Sequence, residues 1–308
     1  MCGARTSCGR GPPDPRQLGV PPMTTGVQTT DEAAAPEEEA GPSIGDLLEL
    51  VDQLAARRPV AARVVAMTDD DSVGSKELAG TLTADVALTT RVMKLANSAY
   101  FGLGGRVRTV TFAVTVVGFS TIRAMAATAA AGLDTDDVLP ADFWPRSKAT
   151  AVACSSLAPL FGVPAPDAFC LGLLSGLGQA ILIQHDRDGY QVLLEREDVA
   201  AGGRRALLLA EQEVHGFRHT QVSAAALSAW RFPREFTDAL DLVDDPSGRS
   251  STTPWSRCLA TSIEAAGRLV CPDAPTVDVL GLSEGSVTED RLAAMMPKLH
   301  EAVTASDW

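Results

Sequence analysis

The chain has 308 residues, with 26 Lys and Arg against 39 Asp and Glu, and a formal net charge of -13. That balance argues against broad binding to a nucleic-acid backbone, which needs clustered Lys and Arg, though it leaves room for a local basic patch. Hydrophobic residues at 45% supply a sizeable core, and few aromatics with abundant alanine favour closely packed helices over a β-sandwich.

The length suggests about two domains. Of the six cysteines, Cys2, Cys8, Cys154, Cys170, Cys258 and Cys271, none forms CxxC or zinc-ribbon spacing. Cys154 and Cys170 lie in apolar runs and read as small buried hydrophobes. A reducing cytoplasm is the expected location. No signal-peptide pattern opens the sequence. No apolar run is read as reaching the ~18–20 residues of a membrane span, so no membrane partner is expected.

Residues 1–42 are rich in Gly, Pro, Thr, Ala and Glu without apolar periodicity, and read as a disordered tail. The opening CGARTSCGRGPPDPRQLGVPP looks like translated upstream sequence, which makes Met23 a candidate start beside Met1. Ser43 is a candidate N-cap for a helix carrying Leu47, Leu48, Val51 and Leu54. Pro59 opens a second helix through Val64, Val65 and Met67. Asp69-Asp70-Asp71-Ser72 reads as a solvated turn, because no glutamate stands at the twelfth position of an EF-hand loop. Ser75 is expected to cap a short helix to Leu82.

The stretch 85–103, DVALTTRVMKLANSAYFGL, organises the rest. Leu88, Val92, Leu95 and Ala99 form one apolar helical stripe, with Arg91 and Lys94 off it. Asn97-Ser98-Ala99-Tyr100-Phe101-Gly102 then marks a helix end and turn. The plain reading is a cap packed by aromatics, followed by a flexible connection with two solvated arginines. The sharper reading takes Asn97, Ser98, Tyr100, Arg106 and Arg108 as contacts for a protein partner or a small anionic, nucleotide-like ligand. Arg123, after Gly118-Phe119-Ser120, is a candidate for the same patch.

Val110, Ala113, Val114 and Val117 form another stripe, and Ile122, Met125, Ala126 and Ala129 begin a helix ending near Gly132. An acidic turn, 134–137, follows. Phe143-Trp144-Pro145 opens a long helix to Phe161-Gly162. Residues 169–183 are nearly all apolar and are expected to form one buried helix. Further helices are expected over 190–197, 204–214, 220–230 and 233–243, then a break at 244–248. Residues 254–270 and 289–303 read as two helices of a C-terminal extension. No period-2 alternation or internal repeat is sustained, so the fold class is all-α. The expected division is a tail at 1–42, a helical domain at 43–245 and the extension at 246–308.

RVMKLANSAYFG, followed by Arg106-Val107-Arg108-Thr109-Val110, Ala113-Val114 and Val117-Gly118-Phe119, resembles the N-terminal half of the HDOD family. These are HD-related output domains of bacterial signalling proteins. The resemblance spans roughly residues 44–245, with Asp85-Val86 where the family usually opens Asp-Pro. It implies a two-part helical bundle whose second half is a degenerate relative of HD-type phosphohydrolases. In those enzymes histidines and a His-Asp pair hold divalent ions that activate water. The resemblance places a helix histidine at Arg146, the His-Asp pair at Ser175 and Gly176, and a His-His pair at Val243 and Asp244. Serine, glycine and valine are not replacement ligands, and Arg146 would repel a cation.

His219 is the one matching histidine and reads as satisfied in a helix-start network. A metal pair with His215 would require a continuous helix through Gly216. His185 reads as a helix end and His300 as surface. No nucleophile elbow, P-loop or dinucleotide fingerprint is present. The expected function is a non-enzymatic signalling module with no catalytic residue, metal or cofactor. The alternative is a residual metal-dependent phosphohydrolase drawing carboxylates from Asp186, Asp188 and Asp244.

Overall fold

The computed structural model describes residues 42–133, 139–243 and 252–304. The described residues are helical, with no strand among them. Residues 1–41 of the expected tail, the 134–137 turn and the 244–248 break lie outside them.

The first half comprises α1 (Ile44–Ala56), α2 (Pro59–Met67), α3 (Ser75–Leu82), α4 (Val86–Ala96), α5 (Val110–Val117) and α6 (Phe119–Ala130). Side chains written into the sequence start these helices. Ser43 Oγ accepts from the Asp46 amide at 3.2 Å while Asp46 Oδ2 accepts from the Ser43 amide at 2.8 Å, a reciprocal capping box. Pro59 occupies the first turn of α2, where its missing N–H costs nothing. Asp85 caps α4 by accepting from the Leu88 amide at 2.9 Å. Ser75 departs from expectation: Gly74 holds the cap position of α3 and Ser75 is its first helical residue.

α4 buries Leu88, Val92, Leu95 and Ala96. Ala99, expected on that stripe, is exposed in a 3-10 turn, Ala99–Phe101, because the helix has already ended at Ala96. At Gly118, with φ of 83°, the chain turns by 104° from α5 into α6.

The second half comprises α7 (Phe143–Phe161), α8 (Ala165–Leu174), α9 (Leu177–His185), α10 (Arg187–Leu194), α11 (Glu197–His215), α12 (His219–Ala229) and α13 (Arg234–Leu242). The expected single helix over 169–183 is two helices, broken at Ser175–Gly176. The combined stretch Ala165–His185 is 21 residues long with mean hydropathy 1.5, so by length and composition it is apolar enough to cross a membrane. That corrects the sequence expectation. Its apolar character has a plain cause: 78% of its most apolar window is buried inside the protein.

Two glycines let helices approach closely. A Cβ on Gly172 would lie 2.8 Å from Ala151 Cα, which sets α8 directly on α7. A Cβ on Gly178 would lie 2.0 Å from the His219 carbonyl oxygen, where α9 meets α12. α11 begins before the expected 204 and kinks at Gly203, whose φ is 62°.

The remaining helices are α14 (Pro254–Val270), α15 (Val279–Leu282) and α16 (Glu289–Thr304). α14 packs along α7, burying Cys258 and Leu259, and the Cys258 thiol faces the Cys154 carbonyl at 3.7 Å. Leu292 and Leu299 of α16 belong to the same core as Leu47, Leu88 and Leu157. The described part of the expected extension is therefore a layer of the one core. Cys154 and Cys170 are buried as anticipated, and burial pushes the Cys170 thiol up to about 12.

Candidate functional site

The turn after α4 is held by its own side chains. Asn97 Nδ2 donates to the Met93 carbonyl at 3.0 Å and the Val107 carbonyl at 2.9 Å, while Oδ1 accepts from the Val107 amide at 2.9 Å. One amide thus closes the loop 97–107, with both of its N–H donors used. Ser98 is buried and its hydroxyl has no hydrogen-bond partner. Tyr100 shares a short hydrogen bond with Ser155 of α7, and its ring packs on Phe101 and Phe169 at 4.8 and 4.9 Å. Burial pushes its hydroxyl pKa above the usual value. Asn97 and Tyr100 hold the turn together and dock it on α7. Of the residues of that loop expected to make contacts, Arg106 and Arg108 are the exposed ones.

Arg123 does not join them. It is 8% exposed, and its guanidinium donates to Asp69 Oδ1 at 3.1 Å and to the carbonyls of Trp230 and Arg231 at 2.6 and 2.9 Å. It also stands 4.4 Å over the Phe232 ring. Both of its terminal nitrogens are bonded to the frame, while its buried Nε has no hydrogen-bond partner.

The described residues at the positions assigned above by resemblance are engaged as follows. Arg146 pairs with Asp142 at 2.6 Å and donates to Cys271 Sγ at 3.4 Å. Ser175 Oγ donates to the Gly172 carbonyl at 2.7 Å. A Cβ on Gly176 would lie 3.2 Å from Phe143 Cε2, so an aromatic ring closes that position. Val243 is half-buried just after α13; Asp244 lies outside the described residues. Among the described residues, no group of three His, Cys, Asp or Glu side chains is placed to hold a metal.

His219 is 1% exposed, and its Nδ1 lies 2.8 Å from both oxygens of Glu211. Glu211 also accepts from the His219 amide at 2.8 Å and from the Tyr190 hydroxyl. Burial pushes the Glu211 carboxyl up, but the His219 charge and these hydrogen bonds outweigh it and hold the carboxyl below its usual range. Burial and the neighbouring carboxylate push the Tyr190 hydroxyl up. This network satisfies His219 as expected. Its central member, Glu211, was not singled out from sequence, where one glutamate among several in a polar helix carries no distinguishing signal. His215 sits at the end of α11, parted from α12 by Gly216 with φ of 79°, so the two histidines do not share a helix face. It stacks between Tyr190 and Phe217.

Sequence reading also missed a cleft of about 510 Å³. α4 contributes Ala87, Thr90, Arg91 and Lys94, at the i, i+3, i+4, i+7 spacing of one helix face. Met125 and Thr128 come from α6, Trp144 and Lys148 from α7, and Leu173 from α8. The cations Arg91 and Lys94 had been placed only as residues off the apolar stripe. What brings them into one cleft with Lys148 and Trp144 is the packing of helices distant in sequence.

These helices and this arrangement define a class. The HDOD domain model matches residues 54–246, and the chain belongs to the HDOD domain family, a signalling-type helical domain. The fold resembles a crystal structure of a candidate phosphohydrolase from Shewanella amazonensis, with TM-score 0.66 and 23% identity over 84% of this chain and 96% of that one. It also resembles an HDOD domain protein from Geobacter sulfurreducens, with TM-score 0.59 and 18% identity over 86% and 98%. A curated relative, an uncharacterized protein of Treponema pallidum, is 26% identical over 212 residues; these cover 67% of this chain and 38% of the relative's length.

Proposed function

We propose that this HDOD protein is a non-enzymatic regulatory module of a cytoplasmic signalling system, acting by binding a small anion or a protein partner. The observation that carries the proposal is the chemistry at Ser175 and Gly176. At the positions that the resemblance assigns to two metal ligands, a hydroxyl is spent on the Gly172 carbonyl and a glycine is closed by Phe143. Arg146 adds a cation, already paired with Asp142, at a third such position. What remains of HD chemistry is His219, and it is occupied by Glu211.

The test is elemental analysis of the purified full chain together with turnover of bis-p-nitrophenyl phosphate. The expected outcome is neither stoichiometric Fe, Mn or Zn nor chelator-sensitive hydrolysis. Finding both would overturn the proposal.

A further inference from the structure

We infer that the cleft lined by α4, α6, α7 and α8 is a binding site for a monoanionic amphiphile, a small molecule with an apolar chain or ring and one carboxylate head. The inference deepens the regulatory reading and rests on it for one point only: the ligand is held and not consumed.

Size and lining are the first argument. About 510 Å³ lies within the roughly 300–1,000 Å³ typical of small-molecule sites, which are mostly apolar with a few polar groups. This cleft has that make-up. Met125 and Leu173 are 5% and 4% exposed, so both are packed into the core and still present surface to the cleft. Ala87 adds a methyl group, and Trp144 adds a ring that meets Phe143 edge-on at 5.2 Å. The hydroxyls in the lining are spent within the protein. Thr90 donates to the Val86 carbonyl at 2.7 Å and Thr128 to the Met125 carbonyl at 2.8 Å. An apolar body laid on these side chains is removed from water, which favours its binding.

Charge is the second argument. The chain carries a net charge of -13, yet the described lining holds neither Asp nor Glu. Arg91 and Lys148 line the cleft but already have partners, so neither is assigned to the ligand. Lys94 differs. It lies in the last turn of α4, is exposed, and makes no hydrogen bond or ion pair among the described residues. One available ammonium beside apolar surface selects a ligand with one negative group. A ligand with several charges would bring the others onto apolar surface without partners, at a cost in desolvation. A single carboxylate is met by a charge-assisted hydrogen bond from Lys94 while its apolar body fills the cleft.

The experiment is isothermal titration calorimetry of the full chain with decanoate and 1-naphthylacetate, using butyrate as the head alone and 1-octanol as the body alone. At least one of the two amphiphiles should bind more tightly than either fragment, and the tighter of them identifies the body as chain or ring. Ala87→Trp, at an exposed helix position, should fill the cleft and abolish binding while circular dichroism shows an unchanged helix content. Lys94→Gln should weaken amphiphile binding by about fivefold to tenfold, the worth of one charge-assisted hydrogen bond, and leave 1-octanol unaffected. Absence of amphiphile binding at millimolar concentration overturns the inference. So does binding that survives Ala87→Trp, or binding indifferent to Lys94→Gln. Chelator-sensitive hydrolysis of bis-p-nitrophenyl phosphate alongside amphiphile binding would leave the site standing and sink the non-enzymatic reading; absence of both would do the reverse.

Discussion

Arg123 Nη2 donates to the Trp230 carbonyl at 2.6 Å across 107 residues of sequence, and so ties α6 to the corner between α12 and α13. The corner is strained, because Arg231 adopts a φ of 56° without being glycine. Arg123 receives both carbonyls of that corner, and its other arm reaches Asp69 in the turn after α2. One side chain thereby fixes three segments.

Removing it should be costly. Arg123→Met is expected to lower stability by about 2–4 kcal/mol in urea unfolding, because two carbonyls lose charge-assisted donors. Arg123→Lys should recover less than half of that, since one ammonium cannot fork to both carbonyls and the carboxylate. Asp69→Asn should cost under about 1 kcal/mol, as the Asp69 side chain is 40% exposed. An unchanged midpoint for Arg123→Met would remove the clasp from the account.

The Glu211 network predicts a pH dependence. The Glu211 carboxyl titrates below its ordinary value of 4.5, so its contribution to stability is complete above that pH. It is lost as pH falls from 4.5 through the lower folded-state value. Glu211→Gln should cost about 1–3 kcal/mol at pH 7 and flatten the stability profile in that acid window. Thermal melts from pH 7 down to pH 3 read both effects; parallel profiles for the two proteins would contradict the assignment.

Small residues at helix crossings should tolerate no growth. Gly178→Ala is expected to cost about 3 kcal/mol or more, because backbone atoms of α12 occupy the space. Gly176→Asp should cost about 2–4 kcal/mol by pressing a carboxylate onto Phe143. Gly80→Ala is the control: nothing lies within 4 Å of the added Cβ, so helix propensity should raise stability by about 0.5–1 kcal/mol. Equal effects at Gly80 and Gly178 would show that α9 and α12 are not in the stated contact.

Arg106 and Arg108 remain candidates for protein contact, and both are exposed. The double change to alanine should move stability by no more than about 0.5 kcal/mol while weakening capture of a partner in pull-downs. Undiminished capture would place the contact surface elsewhere. Truncating residues 254–308 is no substitute for this comparison, since α14 packs on α7 and its loss would expose core.

The sequence by itself determined the elements. The Ser43–Asp46 box, Pro59, Asp85 and the stripe Leu88, Val92, Leu95 are relations within a few residues, and backbone geometry turns such spacing into helix starts and buried faces. The wording around 91–102 carried the family. Where the local signal was ambiguous the reading slipped. Residues 169–183 are nearly all apolar, so hydropathy cannot mark the break at Ser175–Gly176, and Ala99 continues the stripe on paper after the helix has ended.

Tertiary structure alone decided what the polar residues do. Asn97 and Tyr100 looked available and are spent on Val107 and Ser155. Arg123 looked like part of a surface patch and is buried on carbonyls 107 and 108 residues away. Arg91, Lys94, Trp144 and Lys148 looked unrelated and line one cleft. The reason is geometric. A helix dictates which of its own residues share a face, but which other helix that face meets depends on packing the whole core at once, and no local pattern encodes it.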